Sequence, residues 1–267
     1  MELKISLGQM DVALGQPEQN LDKATVMAAE ARRRGSELVV FPELWSSGYD
    51  LANSSRYATS VDEGMFVRMI DLASEHSVHV MGSLLEDSGQ GYRNTAVVAS
   101  PSGLLLGKYS KVHLFRPLEE HVYLVAGEEA PVFDLPWGRS ALAICYDLRF
   151  PELFRKYALA GTQVVFLVAE WPLPRLAHWE TLLQARAIEN QCFVVACNRV
   201  GQSGEWSFFG HSCIYDPSGE LVAGAGDEET LLTATIDLDL VDQVRRSMTV
   251  FEDRREAVYA TPGRDRP

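Results

Sequence analysis

The stretch Ala141-Leu-Ala-Ile-Cys-Tyr-Asp-Leu-Arg-Phe-Pro-Glu152 holds the strongest structural signal in the chain, because an apolar strand runs directly into a cysteine and then into a helix start. A cysteine at such a corner can present its thiol above the sheet edge, with the backbone N–H groups of the following turn directed at the same point. This arrangement suits a nucleophile whose reaction generates an oxyanion. The alternative is a small buried core residue, which is the usual role of an unpaired cysteine.

Length, composition and charge set the broad class. The 267 residues are 46% hydrophobic and contain no linker-like segment, so we expect one domain over residues 1–267, with residues from about 245 to 267 as an extended C-terminal tail. The longest apolar runs are far shorter than a membrane span, and the first residues alternate like a strand rather than a signal peptide. A formal charge of −13 opposes binding to nucleic acid or to an anionic membrane. We therefore expect a soluble, cytoplasmic protein with neither of these partners.

The four cysteines predict neither a metal site nor a disulfide framework. Cys145, Cys192, Cys197 and Cys213 lack the close paired spacing of zinc ligands, and they are too sparse for a disulfide-rich scaffold. We expect four reduced thiols, no bound metal and no metal ligands.

Hydrophobic periodicity predicts strands alternating with helices. Besides the strand before Cys145, we predict strands at residues 2–10, 37–41, 78–85, 94–100, 104–109, 164–169 and 193–199. Predicted helices cover residues 17–34, 63–75, 151–160 and 174–190. In the last of these, Trp179, Leu182, Leu183 and Ala187 recur at helical spacing, which indicates a core or subunit-interface face.

An internal echo links the two halves of the chain. Pro101-Ser-Gly103 and Pro217-Ser-Gly219 each stand between two strand-like segments, as in tight hairpins. Each half would then consist of β/α units followed by antiparallel hairpins, so the strands cannot all be parallel. A layered α/β sandwich of two facing mixed sheets covered by helices satisfies this. A single doubly wound sheet is the alternative, weakened because no glycine-rich dinucleotide fingerprint follows the first strand.

Two further strand ends carry an ionisable residue. Glu43 follows the apolar run that ends at Phe41, and Lys111 follows another strand and precedes Val112-His-Leu-Phe115. Each could be an ordinary solvated loop charge. Their apolar neighbours argue for burial, however, and a buried charge requires a partner, which each could provide for the other.

Together the three residues supply what acyl transfer from an amide requires. A cysteine needs a base to become a thiolate, a carboxylate can be that base, and a lysine ammonium can stabilise an oxyanion.

The segments Phe41-Pro-Glu43-Leu44, Lys111-Val-His-Leu-Phe115 and Ile144-Cys-Tyr-Asp-Leu-Arg-Phe-Pro-Glu152 resemble the motifs of the carbon–nitrogen hydrolase (nitrilase) superfamily, in the family's order and with comparable spacing. The resemblance covers nearly the whole chain. It implies an αββα sandwich, no metal or organic cofactor, and a homodimer or larger homo-oligomer formed through helices.

The resemblance also implies roles for individual residues. Cys145 would be the nucleophile, Glu43 the general base and Lys111 the oxyanion stabiliser, with the Tyr146 backbone N–H as a second donor. Family members carry a second glutamate before the catalytic strand, and Glu120 corresponds to it; it would hold Lys111. A plain loop carboxylate is the alternative for Glu120.

The residues after the nucleophile bear on the substrate. Nitrile-hydrolysing members of the superfamily typically have Cys-Trp-Glu, whereas this chain has Cys145-Tyr-Asp147, as amide-hydrolysing branches do. Together with the segments 171–179 and 186–191, this motif resembles the ω-amidase-like branch. Its substrates are small 2-oxo dicarboxylic acid monoamides such as 2-oxoglutaramate.

Such a substrate requires a cation for its distal carboxylate. Arg175 is the candidate, and Tyr49 could hydrogen-bond the substrate, although each could instead serve packing. Glu170 would repel a carboxylate unless it is paired or turned away. We interpret Arg149 as structural, tying down carbonyls or a carboxylate such as Glu152.

Three alternatives remain open at the level of sequence. The chain could hydrolyse an N-carbamoyl compound or an aliphatic amide, or, less in keeping with Tyr146-Asp147, a nitrile. From a different class, it could be an inactive sandwich that serves as an interaction module.

Overall fold

The structure, a computed structural model, describes residues 1–259. The strands are β1 (Glu2–Gln9), β2 (Leu38–Val40), β3 (His79–Asp87), β4 (Tyr92–Ala99), β5 (Leu105–Ser110), β6 (Val132–Leu135), β7 (Gly138–Ile144), β8 (Val164–Ala169), β9 (Phe193–Asn198), β10 (Val200–Ser203), β11 (Trp206–Phe209), β12 (Cys213–Tyr215), β13 (Leu221–Gly224) and β14 (Thr230–Asp237).

The α-helices are α1 (Pro17–Arg33), α2 (Gly64–His76), α3 (Glu120–Tyr123), α4 (Pro151–Leu159), α5 (Leu176–Asn190), α6 (Asp239–Ser247) and α7 (Glu256–Tyr259). Short 3₁₀ turns cover Leu51–Arg56, Arg116–Leu118 and Cys145–Arg149. Every strand and helix predicted from periodicity is present, with ends shifted by no more than a few residues.

Two six-stranded sheets share one construction. Their orders are β14-β1-β2-β3-β4-β5 and β13-β12-β9-β8-β7-β6, and β10 pairs with β11 in a separate ribbon. In the first sheet β1, β2 and β3 are parallel and β4 and β5 antiparallel; in the second, β7, β8 and β9 are parallel and β12 and β13 antiparallel. This correspondence confirms the common design of the two halves.

The Pro-Ser-Gly echo forms equivalent hairpins. Residues 101–103 join β4 to β5, and residues 217–219 join β12 to β13. Gly103 and Gly219 have φ of 79° and 87°, the left-handed region that residues with a Cβ rarely adopt. The glycine in each echo is therefore required by the turn.

Side-chain alternation along the strands separates the layers. Leu38 and Val40 of β2 belong to the core between the sheets, whereas Val39 and Phe41 pack under α1 and α2. Phe154 and Tyr157 of α4 are fully buried in the core cluster that contains the strands of the second sheet. The architecture is the predicted αββα sandwich, and the single doubly wound sheet is excluded.

The apolar face of α5 lies in the protomer's own core. Trp179, Leu183 and Ala187 are fully buried, and Leu182 packs against them. This face of α5 was predicted to belong either to the core or to a subunit interface, and the structure shows that it belongs to the core.

The C-terminal region differs from the sequence expectation. Strand β14, which the sequence did not reveal, pairs with β1 along its whole length, from Glu2 opposite Asp237 to Gln9 opposite Thr230. The sequence predicts an extended tail from about residue 245, but residues 245–247 belong to α6 and residues 256–259 form α7. The prediction is therefore wrong for these two segments. Residues 260–267 lie outside the described residues.

Local features of the sequence stabilise helix α6, although this helix was not predicted. Asp239 and Asp242 stand in its first turn and Arg245 and Arg246 in its last, which complements the helix dipole, and Val241 is buried. Within residues 1–259 no helix is long and apolar enough to cross a membrane, and no group of His, Cys, Asp or Glu side chains is arranged to hold a metal ion.

Candidate active site

The predicted site residues meet where strands of the two facing sheets end. Glu43 follows β2 and Lys111 follows β5 in the first sheet, while Cys145 follows β7 in the second. Glu120 begins α3, in the segment that follows Lys111. All four side chains are buried, and Cys145 is 4% exposed.

Lys111 bridges two carboxylates. Its Nζ lies 2.7 Å from Glu43 Oε1 and 2.5 Å from Glu120 Oε1. The hydroxyl of Tyr49 completes the cluster, 2.7 Å from Glu43 Oε1 and 2.5 Å from Glu120 Oε1, and it accepts a hydrogen bond of 3.1 Å from Lys111. The reasoning that Glu43 and Lys111 are buried partners is therefore confirmed by the geometry.

Backbone and amide donors hold the carboxylates in place. Asn94 Nδ2 donates to Glu43 Oε1 over 2.8 Å, and the backbone N–H of Glu170 donates to Glu43 Oε2 over 2.8 Å. The second oxygen of Glu120 accepts the backbone N–H of Phe115 over 2.5 Å. Each carboxylate thus has one oxygen on Lys111 and the other on a backbone donor.

Cys145 sits at a strained corner. Its φ is +46°, which is unusual for a residue with a Cβ, and it opens the 3₁₀ turn Cys145–Arg149. The first N–H groups of such a turn, including that of Tyr146, have no carbonyl within the turn to bind. The corner and its free N–H donors are as the sequence predicts, but the thiol is buried rather than exposed, since Cys145 is only 4% exposed.

Asp147 fixes that corner to the lysine segment. Its fully buried carboxylate accepts hydrogen bonds from the Ile144 N–H (2.9 Å), the Tyr109 hydroxyl (2.7 Å) and the His113 N–H (3.1 Å). The His113 ring also contacts Asp147 through Nδ1 and stacks on Phe150. His113 therefore has a structural place, in line with its absence from the expected chemistry.

The electrostatics of the cluster favour a charged ammonium on Lys111 and a protonated thiol on Cys145. Burial by itself would lower the pKa of Lys111, but the charges of Glu120 and Glu43 outweigh it and raise that pKa. Burial, followed by the charge of Glu43, raises the pKa of the Cys145 thiol well above its usual range, against the opposing effect of Lys111. At rest the cysteine is a thiol, so a thiolate forms only as a neighbouring base takes the proton.

Glu120 is affected by the same surroundings. Burial raises its pKa, the charge of Lys111 lowers it, and the charge of Glu43 raises it again, with an upward net direction.

Glu170 is paired, which removes the concern that it repels a substrate carboxylate. Its Oε2 lies 3.2 Å from Arg199 Nη1, and both side chains are fully buried. Arg199 also contacts Asp11 and stacks on Phe208. Burial raises the pKa of Glu170 to about 7, with Arg199 acting in the opposite direction.

A narrow cleft opens over the thiol. Its walls are Phe115, Cys145, Tyr146, Arg149, Trp171, Pro172 and Arg175. Arg175 and Tyr146, two predicted substrate contacts, thus line the same cleft as Cys145. Tyr49, the third, has its hydroxyl engaged by the carboxylates and Lys111 instead.

Arg149 does not have the partner that the sequence suggested. Within residues 1–259 it forms no ion pair with Glu152 or any other carboxylate; its Nη2 contacts His178 Nδ1 at 3.2 Å, and its guanidinium lies over Trp171.

Three positioning residues were missed by sequence reasoning: Asn94, Asp147 and Arg199. The available signal was the polar Asn94 at the start of the predicted strand 94–100, because a polar side chain that is buried requires a specific partner.

Comparisons with known proteins agree with the geometry. The model of the carbon–nitrogen hydrolase family matches residues 4–246. A 2-oxoglutaramate amidase of Bacillus subtilis is 43% identical over 97% of this chain and 100% of its own length, and an ω-amidase of Xenopus tropicalis is 33% identical over 97% of each chain. A CN-hydrolase superfamily protein of Xanthomonas campestris, solved with an arsenic adduct in its active site, superposes with a TM-score of 0.90 at 31% identity, covering 96% of this chain and 98% of that one.

The fold, the buried cluster and the similarity to known proteins together define a hydrolase with the nitrilase-type sandwich fold. The chain belongs to the carbon–nitrogen hydrolase family. It is an amidase that acts on C–N bonds other than peptide bonds. The alternative of an inactive sandwich that serves as an interaction module is therefore rejected.

Proposed function

We propose that this amidase works through a thioester on Cys145, with Glu43 as the proton carrier. Glu43 accepts the thiol proton as sulfur attacks the amide carbonyl, and the C–N bond then breaks as Glu43 returns the proton to the leaving ammonia. The observation that carries this proposal is the buried Glu43–Lys111–Glu120 cluster, with Lys111 Nζ 2.7 Å from Glu43, which lies close enough to Cys145 for the charges of all three residues to act on the pKa of its thiol.

The second half-reaction uses the same groups in reverse. Glu43, again a carboxylate, takes a proton from water as the water oxygen attacks the thioester carbonyl. The C–S bond breaks, the sulfur regains the proton, and a carboxylic acid leaves. The balance is one amide and one water converted to one acid and one ammonia.

The remaining residues orient and stabilise. Lys111 and the backbone N–H of Tyr146 bind the oxyanion in both tetrahedral intermediates. Glu120 and Tyr49 hold the lysine, since both contact its Nζ. For Tyr49 this positioning role fits its contacts better than direct substrate binding.

We propose an ω-amidase as the specific activity, acting on 2-oxo dicarboxylic acid monoamides such as 2-oxoglutaramate. Three observations support it: the names of the relatives in Bacillus subtilis and Xenopus tropicalis, the Cys145-Tyr-Asp147 motif, and the presence of Arg175 in the cleft as a carboxylate partner.

The test is ammonia release from 2-oxoglutaramate, glutamine, an N-carbamoyl-β-amino acid and a simple nitrile, compared side by side. We expect the highest kcat/KM for 2-oxoglutaramate. Equal rates on all amides, or a preference for the carbamoyl compound, would overturn the assignment of substrate.

Cysteine variants provide the control for that panel. Cys145→Ala should fold normally and release no ammonia, whereas Cys192→Ala, which replaces another buried thiol, should retain turnover. Substantial residual activity in Cys145→Ala would contradict its role as nucleophile.

We further propose a homodimer or larger homo-oligomer, a cytoplasmic location, and a single catalytic domain over residues 1–267. The family resemblance supports the oligomer, and the acidic composition is compatible with the location.

A further inference from the structure

A second cavity lies between the starts of α1 and α2 and is called the α1–α2 cavity below. Its volume is about 290 Å³, and its lining includes Pro17 and Glu18 of α1, Gly64 and Met65 of α2, and Ser46 from the loop after β2. None of the four predicted catalytic residues contributes to this lining. The cavity is therefore distinct from the cleft that contains the thiol.

Two helix N-termini meet at this cavity without side-chain caps. Neither Gln16, which precedes α1, nor Glu63, which precedes α2, provides a side-chain hydrogen bond to its helix. The first N–H groups of a helix have no carbonyl partner within it, and the helix dipole adds partial positive charge at the same end. Both helix ends therefore favour a bound anion.

Two guanidinium groups add full positive charge to the same cavity, because Arg56 and Arg68 both line it. Arg56 lies over the ring of Tyr57, 5.7 Å from its centre, and forms no salt bridge within residues 1–259. Arg68 contacts Glu18 at 3.5 Å, a long contact between side chains that are 50% and 73% exposed. Neither arginine is committed to a strong ion pair, so both are available to an anion.

Ser46 is an independent sign of a ligand in this cavity. The residue is only 4% exposed and lines the cavity. Its backbone carbonyl accepts a hydrogen bond of 2.8 Å from Asn20 Nδ2, but its hydroxyl has no hydrogen-bond partner within residues 1–259. A hydroxyl in a buried residue requires a partner, and an anion in the cavity would provide one.

One acidic side chain opposes anion binding. Glu18 is the single carboxylate among the residues that line the cavity. Because its side chain is 73% exposed, solvent screens its charge, and the side chain is free to turn away from a bound anion. Two guanidinium groups and two helix ends outweigh this one carboxylate.

We propose that the α1–α2 cavity binds a phosphate group, either as inorganic phosphate or as part of a small phosphorylated metabolite. The donors come from α1, α2, the loop after β2 and the 3₁₀ turn Leu51–Arg56, so they approach an anion from several directions. A phosphate has three or four oxygens to meet them, whereas a carboxylate has two. The bound group links both helices to the loop that carries Glu43 and Tyr49, since Ser46 lies between those residues.

Calorimetric titration at constant ionic strength tests this proposal, with inorganic phosphate and glycerol phosphate as separate ligands. We expect saturable binding with a Kd at or below about 1 mM for at least one of them. Arg56→Gln and Arg68→Gln should each raise that Kd by about 10-fold or more, as is usual for loss of a hydrogen bond to a charged group. Both positions are exposed, so these variants should fold.

Three further variants sharpen the test. Ser46→Ala removes the hydroxyl and should raise the Kd by about 2- to 10-fold. Glu18→Gln removes the opposing charge and should lower the Kd by about two- to fivefold. Arg246→Gln removes an exposed positive charge on α6, away from the cavity, and should leave the Kd within about twofold of the unaltered protein.

The two ligands distinguish the source of the phosphate group. Tighter binding of glycerol phosphate supports a site for a phosphorylated metabolite, and equal or weaker binding supports a site for free phosphate. Absence of saturable binding of both compounds up to about 10 mM overturns the proposal. A Kd that is the same in Arg56→Gln and Arg68→Gln as in the unaltered protein overturns it as well.

Discussion

At the scale of single residues, the site is organised around Glu43. Its Oε1 accepts hydrogen bonds from Lys111, Asn94 and Tyr49, while its Oε2 is held by the Glu170 N–H. The nearby thiol is kept protonated by burial and by the charge of Glu43. In the proposed mechanism Glu43 therefore has two roles, because its charge adds to burial in keeping the thiol protonated and it is also the group that receives the thiol proton.

This dual role makes Glu43→Gln the most informative single change at this scale. The amide side chain has nearly the same shape but cannot accept the proton, so we expect both half-reactions to be blocked and kcat to fall by about 10²- to 10⁴-fold. Steady-state ammonia release measures this, and circular dichroism checks that the fold is retained. Normal steady-state rates in the variant would count against Glu43 as the base.

At the scale of elements, the four predicted catalytic side chains stand just after a strand or at the start of a helix. Glu43, Cys145 and Glu170 follow β2, β7 and β8, so the ends of parallel strands in both sheets supply the site. Glu170 ties the end of β8 to Arg199, which lies just before β10, and through it to Asp11 after β1.

That pair predicts a pH dependence of stability. The pKa of Glu170 is raised from its ordinary 4.5 to about 7 by burial. A carboxyl group with a higher pKa in the folded state binds its proton more tightly there. Its contribution to stability is thus complete below about pH 4.5 and is lost as the pH rises through about 7.

Glu170→Gln removes this titration. The free energy of unfolding of the variant, relative to the unaltered protein, should increase by up to about 3 kcal/mol between about pH 4 and about pH 8. Urea unfolding at both pH values measures the difference, and Glu75→Gln, an exposed change on α2, is the control. A difference that is the same at both pH values would show that folding does not raise the pKa of Glu170.

Most of the secondary-structure elements, and the site residues at their ends, could be predicted from the sequence. The strand and helix periods, the Pro-Ser-Gly turns and the residues at strand ends are local signals, and they gave the elements and Glu43, Lys111 and Cys145. Asp147 and Arg199 were not predictable, because their roles depend on partners distant in the chain, such as Tyr109 for Asp147.

At the scale of the whole molecule, the site exists only because two similar halves face each other. The first sheet supplies Glu43 and Lys111, and the second supplies Cys145. The sequence predicted the two halves but not β14, which closes the first sheet along β1, because pairing between chain ends leaves no local pattern. The suggested partner of Arg149 was wrong for a related reason: its guanidinium lies over Trp171, which follows β8, and does not pair with Glu152.

Partitioning with hydroxylamine tests whether the acyl group passes through a thioester on Cys145. Glutaramate and monomethyl glutarate, which differ only in leaving group, are each hydrolysed in the presence of hydroxylamine, and the ratio of hydroxamate to acid is measured. Because both substrates would form the same acyl-enzyme, we predict one common ratio, and no product of either kind with Cys145→Ala. A ratio that changes with the leaving group would show that the nucleophile attacks the substrate directly and would contradict the account.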